Sequence, residues 1–218
     1  MPIVSRLLFG VLLTSPVALF AQHGADPTNA VAGGGSLPAG WHAHADKNAA
    51  LANVKFVTMG TGYHATLGPA VILWRAADTA SGSYSIAATF TQTKAPRYPE
   101  GYGLIFGGRD LAGAAQRYTY FLVRADGTFL IKRRSGDSTS FVTPDWTPHA
   151  AVVKGDSATG AATNELGVAV KGDSVRFLVN GKDVFVTKAS NVDAAGLVGY
   201  RVNHNLDVHV TALEVHRF

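Results

Sequence analysis

Three groups of residues in this chain have the types and spacing to do chemistry. The first is Trp41 to Asp46, WHAHAD, where His42, His44 and Asp46 alternate, so that a strand would carry all three on one side. That spacing resembles a metal-ligand set; the competing reading is an exposed first strand, since nothing nearby in sequence completes the ligands. The second is Arg201 to His209, RVNHNLDVH. If the strands flanking Asn203-His204-Asn205 pair, Arg201 faces Asp207 and His209 lies two residues on along the same face. Such a group, with His204 at the loop, suits a network of sugar hydroxyls or a metal; equally it is a structural ion pair beside a surface histidine. The third is the stretch Arg117 to Arg134, RYTYFLVRADGTFLIKRR, with Trp146 beyond it. Tyr118, Tyr120, Lys132 and Arg134 fall on one face there. Aromatic rings meet the C–H faces of sugars and cations meet their hydroxyls, though Tyr and Arg are also ordinary occupants of a half-exposed sheet.

Acid–base chemistry is thinly supplied. Glutamate occurs at Glu100, Glu165 and Glu214, and no two carboxylates stand at i and i+2 or i+4 on a strand. Retaining glycoside hydrolysis needs two carboxyl groups roughly 5 Å apart, so that mechanism is disfavoured. No Gly-x-Ser-x-Gly elbow, phosphate-binding loop or His-Glu-x-x-His helix occurs either. Asp207, His209 and Asp145 are what remains as catalytic candidates.

The elements that must position these residues are strands. In Arg124-Ala125-Asp126-Gly127 the Asp and Gly suit a three-residue loop closed by a left-handed glycine, which sets Arg124 opposite Thr128. Phe121, Val123, Phe129 and Ile131 then share the core face of a hairpin, and the aromatic and basic set lies on the other. Gly172-Asp173 and Asn180-Gly181 mark two further hairpin turns between Asn164 and Lys188. With those turns Leu166, Val168, Val170, Val175, Phe177, Val179, Val184 and Val186 converge on one face. Further strands are expected at Val54–Met59, Tyr63–Leu67, Ala70–Arg75, Ser83–Gln92, Gly103–Gly108, His149–Lys154 and Gly196–Val202. The last runs over Leu206–Phe218 with a bulge near Thr211-Ala212, where the apolar phase changes. No helical period appears. The prediction is an all-β sandwich of two antiparallel sheets with about eleven to fourteen strands.

Residues 1–21, with Arg6, an apolar run from Leu7 to Phe20 and Ala21 before Gln22, read as a secretory signal peptide too short to span a membrane. Residues 22–40 are Gly- and Ala-rich without a period and read as a flexible tether, leaving 41–218 as one folded domain. The chain has no cysteine, so neither a disulfide nor a lipid-modified export site is available, and the product is expected free in the periplasm or outside the cell. Lys and Arg total 19 against 15 acids, a dispersed excess that does not call for nucleic acid.

YGLIFGG, YTYFLVRADGTFLIKRR, VRFLVNGKDVF and GLVGYRVNHNLDVHVTALEVHRF together resemble the concanavalin A-like jelly roll of bacterial secreted laminin G-like and 3-keto-disaccharide-hydrolase-like domains, often labelled family 16 glycoside hydrolase-like. The resemblance covers about Trp41 to Phe218. It implies three kinds of function: a non-catalytic module binding glycan or polysaccharide, a glycoside hydrolase acting on 3-keto-disaccharides or related glycosides, or an adhesion module binding protein. The active laminarinase-like members carry a Glu, Asp and Glu strand, and this chain has none. Calcium suits the fold, but no dense Asp loop marks a site for it, and no other cofactor is called for. Oligomeric state is not written in these patterns.

Overall fold

The computed structural model describes residues 27–218; the expected signal peptide and the first part of the expected tether lie outside the described residues. Period-2 alternation of apolar residues builds two antiparallel sheets packed face to face. In spatial order the first sheet holds β1 (Trp41–Ala45), β4 (Val71–Ala80), β14 (Gly196–Val202), β6 (Tyr102–Arg109), β7 (Arg117–Arg124), β8 (Thr128–Ser135) and β10 (Thr147–Pro148), with β9 (Ser138–Phe141) also paired to β8. The second holds β13 (Lys182–Lys188), β12 (Ser174–Val179), β11 (Ala162–Lys171), β5 (Tyr84–Gln92), β15 (Asp207–Thr211), β3 (Gly62–Leu67) and β2 (Val54–Met59), with β16 (Glu214–Arg217) on β5. This is the concanavalin A-like jelly-roll sandwich that the sequence predicted.

Turn chemistry set the local registers as expected. Arg124 pairs with Thr128 across a loop in which Gly127 takes φ 89°, and Tyr118 and Tyr120 stand opposite Arg134 and Lys132. Lys171 pairs with Ser174, and Val179 with Lys182. Between Val210, opposite Phe90, and Glu214, opposite Ala87, the last stretch carries one residue more than β5, so the bulge falls where the apolar phase changed.

The inner faces meet over a core of aromatics. Phe177 sits at its centre, with ring centroids of Phe106, Phe121 and Phe185 at 5.8, 5.3 and 6.2 Å. Two buried tyrosines keep their hydroxyls satisfied at the margins: Tyr84 donates to the Ala194 carbonyl and Tyr200 to that of Thr211, each at 2.8 Å. Burial pushes both phenol pKa values well up.

Four expectations need correction. Val186 does not join the core face: β12 and β13 slip by one residue after Phe177, so Phe185 faces Phe177 and Val186 is 54% exposed, while Val184 packs half-buried against the core. The bulge satisfies two demands together, packing half-buried Phe185 against Phe177 and bringing the Asp183 carboxylate to the Arg176 guanidinium. His149–Lys154 is not a strand. The backbone of Val153 bonds instead to the buried Asn164 side chain, donating to Oδ1 at 2.8 Å and accepting from Nδ2 at 3.2 Å, so no ladder is needed to satisfy it. Ser138–Phe141, where no strand was expected, pairs with β8 as an edge strand. Finally, residues 27–40 are fastened where a free tether was expected: Asn29 N–H donates to Asn205 Oδ1 at 2.8 Å, Val31 N–H to Asn53 Oδ1 at 3.1 Å and Gly35 N–H to the Val54 carbonyl at 2.9 Å.

Candidate functional site

The outer face of the first sheet gathers Arg201, Asp46, Tyr118, Tyr120, Lys132, Arg134 and Trp146, all singled out in the sequence. Register places Arg201 of β14 opposite Ile72 on one side and Gly103 on the other, with Gly199 two residues along the same face. Arg201 is buried there, 7% exposed. Its Nη2 donates to Asp46 Oδ2 at 2.6 Å and Nη1 to Asp46 Oδ1 at 3.2 Å and to the Tyr118 hydroxyl at 3.0 Å, while the Tyr120 ring lies 5.1 Å from the guanidinium carbon. Arg201 Nε is buried without a hydrogen-bond partner among the described residues. A guanidinium buried so deeply depends on its carboxylate. Burial by itself would raise the Asp46 carboxyl, but the hydrogen bonds and charge of Arg201 outweigh it and hold it below the usual carboxylate range.

The loop at 110–116 folds over one side of this face. Leu111 packs with Ile72, Trp74 and Tyr118, and Gln116 Nε2 lies 3.3 Å from His44 Nε2. On the other side Trp146 packs against the same cluster, with the Arg124 guanidinium 4.0 Å above its ring. Lys132 Nζ sits 3.9 Å from the centroid of Phe141, which is 54% exposed. Partial burial, opposed by Asp145 and reinforced by Arg201, lowers the Lys132 ammonium pKa.

These positions revise the sequence reading. Tyr118 is 0% and Tyr120 7% exposed, so neither ring is a platform at the surface; they wall in Arg201. Burial raises both of their hydroxyl pKa values. The exposed ring on this face is Phe141, which the sequence reading left out. Its signal was faint: one aromatic at the end of the polar run STSF. Asp46 was noted only for its spacing from His42 and His44, and its partner comes from 155 residues away.

The supposed pair of Arg201 and Asp207 does not form. β14 belongs to the first sheet and β15 to the second, so the chain crosses the sandwich between them. Asp207 instead meets His64 Nε2 at 3.0 Å, Lys94 Nζ at 3.6 Å and the hydroxyls of Thr66 and Thr93. Burial opposes, but those hydroxyls and cations prevail and lower the Asp207 pKa. His209 stands opposite His64 in the ladder, their ring centroids 6.3 Å apart. His204 pairs with Glu100 at 3.0 Å. Asp145 lies on a loop beside Trp146, whose N–H it accepts at 2.7 Å. Asp145 and Asp207 therefore belong to opposite sides of the molecule and cannot act as a carboxylate pair on one bond. His42 and His44 do lie on the outer side of β1, where His42 stacks on Trp74 at 5.6 Å. Among the described residues no three His, Asp or Glu side chains converge as a metal ion would require, and no helix is long and apolar enough to cross a membrane.

No protein-family model matches this chain, and no curated protein matches it in sequence. Solved structures match in shape. Carbohydrate binding module CBM66 from Bacillus subtilis superposes with a TM-score of 0.59 at 13% identity, covering 82% of this chain and 96% of that one. A Bacillus subtilis protein of unknown function with a galectin-like fold gives 0.54 at 12% identity, over 81% and 88%. A putative glycosyl hydrolase from Parabacteroides distasonis gives 0.51 at 12% identity, over 82% and 99%. At such identities what is shared is the fold, and the chain is a β-sandwich of the architecture found in these three proteins.

Proposed function

We propose that this chain is a non-catalytic carbohydrate-binding β-sandwich that takes glycan on the outer face of its first sheet. The observation that carries the reading is the surface of that face: Phe141 exposed with Lys132 over its ring, and Trp146, capped by Arg124, packed against the cluster that holds Tyr118 and Tyr120. An exposed ring offers a stacking surface for the C–H face of a sugar, and the cations beside it supply donors for hydroxyls. The fold shared with a carbohydrate binding module supports this reading without naming a ligand.

Calorimetry of the purified protein against a panel of oligosaccharides and polysaccharides tests it. A saturable heat is expected, and Phe141→Ala is expected to weaken it by about tenfold or more, as loss of one stacking ring does, with the melting temperature unchanged. Unchanged affinity in that variant would move the site elsewhere. Heat that continues in proportion to protein, with release of sugar, would replace binding by turnover.

Export belongs to the same reading, because residues 1–21 have the composition of a cleaved leader. Expressed with that segment in a bacterial host, the protein is expected in the periplasm or medium with Gln22 as its first residue by intact mass. A cytoplasmic product retaining residues 1–21 would refute this.

A further inference from the structure

At one end of the sandwich, where β5 finishes and the turn between β7 and β8 approaches the loop at 155–160, there is a recess of 310 Å³ bounded by Gln92, Pro96, Arg97, Ala125, Asp126 and Asp156. That is the size of a small-molecule pocket. Gln92 continues the inner face of β5 beyond Phe90 and is the most deeply buried of the six, 1% exposed. Its Nε2 donates to the Gly160 carbonyl at 2.7 Å, but its Oε1 is buried with no hydrogen-bond partner among the described residues. A buried acceptor without a donor is costly, and a ligand that brings one relieves that cost.

Asp156 supplies a second open acceptor. Its Oδ1 takes the N–H groups of Thr159 and Ala158 and the Thr159 hydroxyl, all at 2.9 to 3.0 Å, while its Oδ2 bonds no described residue. Those bonds, the one from the Thr159 N–H foremost, hold the carboxyl below the usual carboxylate range. The other two carboxylates of the recess are engaged: Asp126 meets Arg124 Nη2 at 2.7 Å, and Glu100 meets His204 Nδ1 at 3.0 Å. Arg97 makes no hydrogen bond or ion pair with any described residue; its guanidinium carbon lies 5.4 Å from the Tyr98 ring. Open acceptors and one open guanidinium thus share a small space with the apolar rings of Pro96 and Pro99. Hydroxyl groups suit such a mixture, because each both donates and accepts. An acid would meet three carboxylates there, and an ammonium would meet Arg97.

The recess is separate from the place where Phe141 is exposed. Phe141 pairs with Lys132, four residues along β8 from Thr128 beside the turn, a distance of about 14 Å. Arg124 stands between the two regions, capping Trp146 at 4.0 Å while it holds Asp126.

We propose that this recess is a second sugar site, which takes one neutral sugar unit by its hydroxyls and disfavours uronic acids and amino sugars. The inference takes its class of ligand from the glycan-binding reading above and its site from other residues. Its test is an amide-shift titration by nuclear magnetic resonance with glucose, galactose, mannose and fructose, and with glucuronate and glucosamine as charged counterparts of glucose. At least one neutral hexose is expected to shift the amides of the 95–100 and 155–160 loops saturably, about tenfold or more tighter than either charged sugar. Asp156→Asn keeps the oxygen that holds the turn and replaces the open acceptor by a donor, so it is expected to weaken binding about tenfold with the melting temperature unchanged. Ala125→Leu fills the recess without removing a polar group and is expected to abolish those shifts. Phe141→Ala is expected to leave them as they were. No shift in either loop with any sugar, or shifts that survive both Asp156→Asn and Ala125→Leu, would overturn the inference. Glucuronate or glucosamine bound as tightly as the neutral hexoses would overturn it too. Shifts confined to the neighbours of Phe141 would leave the glycan-binding reading standing and sink this one; shifts confined to the recess would do the reverse.

Discussion

Asp46→Asn is expected to destabilise the protein by about 3 kcal/mol at neutral pH, the lower end of what stranding a buried charge costs, since Asp46 itself keeps some contact with water. The loss comes from Arg201. Its guanidinium is walled in by Tyr118 and Tyr120 and keeps its charge at every accessible pH, so removing the carboxylate leaves a buried cation with neutral partners. Chemical denaturation of the two proteins measures the difference, and its pH dependence checks the cause. Asp46 has a folded pKa lowered below its ordinary value of 3.8, so its contribution is complete above that value and is lost as pH falls through the folded one. The gap between wild type and Asp46→Asn is therefore expected to stay constant from neutral pH down to about 5 and to close below 3.8. Adding Arg201→Met to Asp46→Asn removes the stranded charge and is expected to recover roughly 1 kcal/mol or more of the loss. A gap that persists unchanged at pH 2, or a double variant weaker than the single one, would show that Asp46 acts through packing and not through charge.

Phe177→Ala is expected to cost about 4 kcal/mol, within the range for emptying a fully enclosed aromatic site. Phe177 has no exposed surface, and three other phenylalanines from β6, β7 and β13 surround its ring. Those neighbours come from both sheets, so the cavity cannot collapse without moving one sheet against the other. Phe177→Leu, which keeps most of the volume, is expected to cost about half as much. A loss under 1 kcal/mol for the alanine variant in denaturant titration would mean the two sheets close over the gap. Val186→Ala, by contrast, should be nearly neutral, because the bulge before β13 turns that residue outward.

The contrast between Phe177 and Val186 shows where sequence patterning loses its grip. Alternation assigned both to one face, and it was right for Phe177 because the Gly172-Asp173 turn fixes β11 against β12 residue by residue. It failed for Val186 because a single inserted residue inverts every later position, and nothing local to Val184 announces the insertion. The decision lay with Phe185, which buries more surface than Val186, and with Arg176, which gains Asp183. Phe141 was passed over for a related reason. Four residues of polar edge strand have no period long enough to read, and β9 is defined by its pairing with β8.

The candidate site divides along the same line. Tyr118, Tyr120, Lys132 and Arg134 were legible as one face, because all four belong to a hairpin whose turn sets its own register. Arg201 was singled out by its chemistry but given the wrong partner. The argument from RVNHNLDVH assumed that strands joined by a short loop are neighbours in one sheet, whereas β14 and β15 lie in different sheets.

What the amino-acid sequence determined alone was therefore the class of fold, the pairing at the hairpin turns, the bulge near Thr211 and the sorting of side chains to inner and outer faces in the hairpins of β7 with β8 and β11 with β12. These follow from turn geometry and a two-residue repeat, both of which act over a few residues. Tertiary structure alone decided which sheet each strand joins, that Asp46 and not Asp207 neutralises Arg201, and that two tyrosines on an outer face are buried while Phe141 is exposed. Those outcomes depend on contacts between residues up to 155 positions apart. Their energies come from burying a charge or excluding water over the assembled sheet, and no short stretch of chain contains them.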